Sequence, residues 1–169
     1  MVKKYVFGDP IETDAVVKEI KETIWNDELF KKEGNVFQYS LKPDEIVYGL
    51  GENVRGMNKR GWRYVSNCSD NPNHCEHTNS LYGAHNFIMM GDGVNETYGL
   101  FVDTPGTVTF DVGYTDIDRL IIAMENENYK IYLLEGQTYQ DVVREFREMI
   151  GRSYIAPRWA FGYGQSRWS

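Results

Sequence analysis

TVTFDV, residues 107–112, sets Val108, Phe110 and Val112 on one side of an extended chain and Thr107, Thr109 and Asp111 on the other. A period of two marks a strand with one face in a core and the other facing water. Working outward, the same β-branched and aromatic texture recurs from Gly34 onward, at residues 35–40, 45–48, 86–90, 98–103, 120–124 and 129–134. Turn signals separate the later segments: Thr104-Pro105-Gly106, with Pro preset for the second turn position, and the polar residues 125–128. These short strands with tight connections predict a mainly β, antiparallel fold.

Two helices are expected at its periphery. Residues 139–150 carry Tyr139, Val142, Val143, Phe146, Met149 and Ile150 at helical spacing, with Thr138 as N-cap, Asp141 completing a capping-box variant and Gly151 as the stop. Near 14–24, Val16, Val17, Ile20 and Ile24 share a helical face, with Thr13 or Asp14 as candidate cap. Pro157 prevents the later helix from resuming, and residues 159–164 are again strand-like, so the chain reads as cut just after a new strand opens. Residues 49–84 show no periodicity, a length that marks a functional loop or short strands without a signal.

The 169 residues are 41% hydrophobic and 25% charged, ordinary for a single globular domain, while the 14% aromatic residues together with 16 glycines stand out and favour a strand-rich fold. A net charge of −7 supplies no positive field for a phosphate backbone, which excludes nucleic acid as an expected partner. No apolar run approaches the roughly 18 residues of a membrane span. The apolar stretch Tyr5-Val6-Phe7 is too short for a secretory signal, so a cytoplasmic location is expected, with Cys68 and Cys75 as thiols.

NCSDNPNHCEH, residues 67–77, holds two Cys, two His, one Asp and one Glu, all possible zinc ligands. Six residues separate the cysteines and no CxxC occurs, so a polar loop with two incidental thiols is the better reading and no metal is expected. The same loop suits a sugar-binding arm, because a carboxylate accepts two hydrogen bonds from vicinal hydroxyls. From the residues alone Asp70 is no better a candidate than Asp103 or Glu52. Arg55, Lys59, Arg60 and Arg63 either bind an anion or brace their loop against nearby carboxylates, the commoner arrangement. Gly49-Leu50-Gly51 lacks the spacing of a dinucleotide loop, and no GxSxG or ordered catalytic triad is present.

IVYGLGE (46–52), SLYGAHNF (80–87), VVREFREMIGRS (142–153) and PRWAFGYGQSRW (157–168) resemble, in order and spacing, the N-terminal part of glycoside hydrolase family 31, the α-glucosidase and α-xylosidase family. The resemblance covers roughly residues 46–169. It implies an antiparallel β-sandwich resembling the galactose mutarotase fold over residues 1–156, and the first strand of a (β/α)8 catalytic barrel over 157–169. It further implies the non-catalytic domain of a retaining, exo-acting α-glucosidase that removes terminal glucose from α-glucosyl oligosaccharides. The family's catalytic aspartates lie beyond Ser169, so no catalytic residue is expected here, no cofactor is implied, and the natural partner is the barrel in cis. The position matching the family's sugar-binding loop aspartate is Asp70, and the position matching an aromatic pocket wall at the end of the first barrel strand is Trp168. A self-contained, lectin-like carbohydrate-binding β-sandwich is the alternative.

Overall fold

The computed structural model describes residues 1–68 and 70–165. Among them are ten strands: β1 Val2–Phe7, β2 Lys31–Glu33, β3 Val36–Ser40, β4 Tyr48–Gly51, β5 Trp62–Ser66, β6 Ala84–Gly91, β7 Thr97–Asp103, β8 Val108–Val112, β9 Arg119–Met124 and β10 Tyr129–Gly136. They form two five-stranded sheets, ordered β1-β10-β7-β6-β4 and β2-β3-β9-β8-β5. All pairings between these strands are antiparallel. The mainly β, mutarotase-like sandwich expected from the sequence is the fold observed.

Alternation explains how the layers close. Val108, Phe110 and Val112 of β8 are fully buried in the main core together with Ile122 of β9 and Tyr64 of β5, and Phe110 stands opposite both of these residues in the pairing register. Each such side chain contributes about 1.5–3 kcal/mol by leaving water. β10 departs from alternation, since Tyr129 to Leu134 are buried on both faces. Helix α1, Tyr139–Ile150, covers the outer face, where Val142 and Met149 join Tyr132 and Leu134 in a second core. Phe146 stacks on Phe87 of β6 with ring centroids 3.8 Å apart. The capping box at Thr138 and Asp141 forms as expected.

Asp111 corrects one expectation. Its side chain lies on the polar side of β8 but does not face water; it is buried, accepting from Arg63 Nη2 at 3.0 Å, from the Thr115 hydroxyl, and from the amides of Tyr114 and Thr115. Burial alone would raise its pKa, but the Thr115 contacts, Arg63 and the Tyr114 amide outweigh it and hold the carboxyl below its ordinary value. A depressed folded pKa gives stability that is present above the unfolded pKa and lost as pH falls through the folded one. Asp111→Asn should therefore unfold more readily at neutral pH and lose less further stability between about pH 5 and about pH 3. Denaturant titrations across that range check this; a variant curve parallel to the wild type's would refute it.

The helix expected near 14–24 is not formed. Val16 and Ile20 do reach the second core, but Val17 and Ile24 are exposed. The amides of Val17 and Lys18 both donate to the carbonyl of Met149, and the Thr23 amide donates to Lys4 beside a parallel bridge between Lys4 and Glu22. Donors that a helical ladder would need are thus spent on α1 and β1, and adjacent β-branched residues resist a helix anyway. Residues 159–164 also differ from expectation: Arg158–Phe161 is a 3₁₀ turn after Pro157, with Trp159, Phe161 and Tyr163 exposed. No strand among the described residues pairs with this segment, and an unpaired strand is not independently stable.

Candidate functional site

The site is built on YGLGE. Gly49, Leu50 and Gly51 all take positive φ, at 122°, 68° and 71°, and the β4–β6 register jumps from Gly49 opposite Ile88 to Gly51 opposite Ala84. Leu50 tolerates this conformation because its side chain is buried in the main core. The bulge delivers Glu52 against the far end of the long loop between β5 and β6. The Glu52 amide donates to the Gly83 carbonyl at 2.8 Å and its carbonyl accepts from Leu81. Its Oε2 accepts from the amides of Tyr82 and Gly83, each at 3.1 Å.

The four basic residues brace their surroundings, although mostly through carbonyls rather than carboxylates. Arg60 reaches the carbonyls of Lys42, Pro43, Glu45 and Ile117. Lys59 is buried, donating to Asn53 Oδ1 and the Gly56 carbonyl, and burial followed by the nearby Arg55 charge lowers its pKa. Arg55 donates to the carbonyls of Glu76 and Arg63, at 2.6 Å each, and lies over the rings of Trp62 and Tyr64. Among the described residues, Arg63 is the one of the four that meets a carboxylate, that of Asp111.

Asp70 lies in the loop held by these groups and is exposed. Ser80, buried, closes the loop's base by donating to the Asn67 carbonyl at 2.5 Å and accepting from the Asn67 amide. His77 meets Trp62 edge-on, and His74 meets Tyr82 with centroids 5.8 Å apart. Burial, then the Asp70 carboxylate, raise the Tyr82 hydroxyl above its ordinary value. Cys75 is exposed, and the Thr78 hydroxyl, followed by the His77 backbone, lowers its thiol pKa.

Asn67, Asn71, Asn73, Asn79, Thr78 and His77 line a concavity of about 400 Å³ in this loop, a neutral, amide-rich surface suited to hydroxyl groups. A larger one, about 690 Å³, lies between α1 and residues 152–155 and contains none of these groups. Among the described residues, no three side chains of His, Cys, Asp or Glu are placed to hold a metal ion. Asp103, a rival of Asp70 by sequence, is buried and accepts from the Thr13 hydroxyl with both oxygens, so its carboxylate is occupied within the fold. Glu52, the other rival, binds backbone. Trp168 lies outside the described residues.

Residues 8–111, more than half of the chain, match the glycosyl hydrolase 31 N-terminal galactose mutarotase-like domain. The chain belongs to that family. An α-glucosidase of Saccharolobus solfataricus is 32% identical to this family 31 domain over 182 residues, covering 99% of the chain and 25% of the relative. The α-xylosidase XylQ of Lactiplantibacillus pentosus is 30% identical, covering 94% of the chain and 20% of its own length. Among solved structures, a cycloalternan-degrading enzyme from Trueperella pyogenes in complex with isomaltose superposes with a TM-score of 0.67 at 25% identity, over 75% of this chain and 19% of that one. A family 31 dextranase from Flavobacterium johnsoniae shares the fold with the same TM-score. The family 31 domain thus spans a quarter or less of the length of the curated relatives it matches. No helix among the described residues is long and apolar enough to cross a membrane.

Proposed function

We propose that this chain is the N-terminal, non-catalytic domain of a retaining, exo-acting α-glucosidase, and that its 67–83 loop carries Asp70 to the sugar. The observation that carries the reading is the α-glucosidase relative, which aligns with 99% of this chain in only 25% of its own length. On this reading residues 157–169 open the catalytic barrel, which supplies the nucleophile and the acid/base carboxylate about 5–5.5 Å apart, as retention requires. This domain supplies binding. An exposed carboxylate on a loop anchored at both ends accepts hydrogen bonds from two neighbouring sugar hydroxyls and fixes the ring relative to the nucleophile. Trp168, at the carboxyl end of the first barrel strand, is proposed as an apolar wall of the same pocket.

In the full-length enzyme Asp70→Ala should lower kcat/KM for short α-glucosides by roughly ten- to a hundredfold, the worth of a charge-assisted hydrogen bond. Part of the loss should fall on kcat, because such bonds tighten as the sugar flattens towards the transition state. Steady-state kinetics on maltose and isomaltose measure both, and an unchanged kcat/KM in a folded variant overturns the role of Asp70. The isolated 169-residue chain should hydrolyse no α-glucoside. If it instead binds maltose as tightly as the full-length enzyme does, the self-contained lectin-like domain is the better reading.

A further inference from the structure

Loops that present a functional side chain face an entropic problem: every residue they order on binding costs affinity. The described residues of the 67–83 segment form no strand, so contacts made by its neighbours must set its shape. Two charged side chains of the β4–β5 connection, three positions apart, bind the backbone of this segment. The Glu52 carboxylate holds the amides of Tyr82 and Gly83. The Arg55 guanidinium holds the carbonyl of Glu76 through Nε and, through Nη1, the carbonyl of Arg63 in β5.

Arg55 is itself held in place. Its guanidinium lies 4.4 Å from the Trp62 ring centroid and 4.9 Å from that of Tyr64, so the plane that faces Glu76 is fixed by two aromatic residues of β5. Beneath it the connection is fastened by Lys59, whose ammonium ties Asn53 to Gly56. Asp70 lies between two anchors, the Ser80–Asn67 clasp at the base of the loop and the Arg55–Glu76 bond at its middle.

We propose that Glu52 and Arg55 form a two-point clamp that pre-orders the Asp70 loop, and that they are positioning residues for substrate, acting through Asp70 without touching the sugar. The proposal rests on the reading of Asp70 given above. A planar guanidinium can serve two carbonyls while stacking on rings, which a flexible ammonium cannot, so the arginine is specifically required.

The test combines a mutant cycle with a measurement independent of activity. In the full-length enzyme, Arg55→Met and Glu52→Met, which removes the acceptor at similar length, are made alone and on an Asp70→Ala background. Each is expected to cost roughly tenfold in kcat/KM when Asp70 is present and nothing further when it is absent, because coupled residues are not additive. Arg55→Lys should recover only part of the loss. A loss of equal size on both backgrounds, or none on either while Asp70→Ala keeps its own, overturns the clamp; Asp70→Ala without effect overturns the reading of Asp70 instead. Hydrogen exchange on the isolated chain decides the structural half in every case. Arg55→Met should speed exchange of the amides at 71–79 by about tenfold, with β7, β8 and β10 unchanged. Unchanged exchange in the loop overturns the proposal, and Glu52→Met supplies the same comparison at 81–83 should Arg55→Met not fold.

Discussion

Phe37→Ala is expected to cost about 3–5 kcal/mol, among the largest losses any single substitution in this chain should produce. Phe37 is fully buried in β3, and its ring meets Phe7 of β1 at 5.7 Å, Tyr129 of β10 at 6.1 Å and Trp25 at 5.1 Å, all edge-on. It therefore joins the second sheet to the first, and both to the irregular segment that replaces the expected helix. Removing the ring leaves a cavity walled by three aromatic residues that cannot collapse far, and forfeits edge-to-face contacts worth about 0.5–1.5 kcal/mol each beyond simple burial. For a chain of this size the loss corresponds to a drop in Tm of roughly 6–20 °C. Phe37→Leu, which refills most of the volume, should cost less than half as much. Thermal unfolding of the three proteins measures this, and equal Tm values for Phe37→Leu and Phe37→Ala would show that refilling the volume recovers nothing and that the ring contacts, not the cavity, carry the effect.

Gly51→Ala is the second. A residue with φ of 71° is in the left-handed region, which costs an alanine about 1–2 kcal/mol. A Cβ there would stand 2.1 Å from the Gly83 carbonyl oxygen and 2.8 Å from the His85 ring, so backbone must move, at about 1–3 kcal/mol more. The bulge and the Glu52 contacts behind it would shift together. Gly61→Ala is the matching control, since Gly61 also has positive φ, at 84°, but nothing lies within 4 Å of its Cβ position. Gly61→Ala should show the conformational cost alone. Equal destabilisation by the two substitutions in denaturant titrations would mean that the approach to Gly83 is not close in solution.

The sandwich was legible wherever alternation met a buried face. β8 and β9 carry apolar residues at the right period and β10 is an apolar and aromatic run just after a turn signal, so their strands are read directly. β2 could not be read that way: Lys-Lys-Glu is exposed along its whole length and is a strand only because β3 pairs with it. β1 mixes two lysines into its run, and β5 sits inside the stretch without periodicity. The expected helix near 14–24 failed because helical spacing of valine and isoleucine does not reveal which tertiary acceptors will claim the backbone donors. At the candidate site, sequence pointed to Asp70 only through family resemblance. Burial then separated it from Asp103, and backbone contacts separated it from Glu52, information that spacing does not carry. The roles of Glu52 and Arg55 were hidden because both bind main chain; a charged residue just after a Gly-x-Gly turn is the one local sign of such a role.

Among the described residues each sheet ends in two strands whose outer side is unpaired apart from the single Lys4–Glu22 bridge on β1, and an unpaired strand side is a template on which another copy can add. β2 and β1 meet this hazard with charge, through Lys31, Lys32 and Glu33 and through Lys3 and Lys4. Lys32 also lies over the Phe7 ring, 4.8 Å from its centroid, roofing apolar surface at the margin of the sandwich. β4 is four residues long and broken by its bulge, which leaves too little regular backbone to recruit a neighbour. β5 is sheltered where Arg55 occupies the Arg63 carbonyl. The same bulge and arginine that contact the loop therefore also keep two of the four margins closed to intermolecular pairing, so changes made there to reshape the loop carry a cost in solubility.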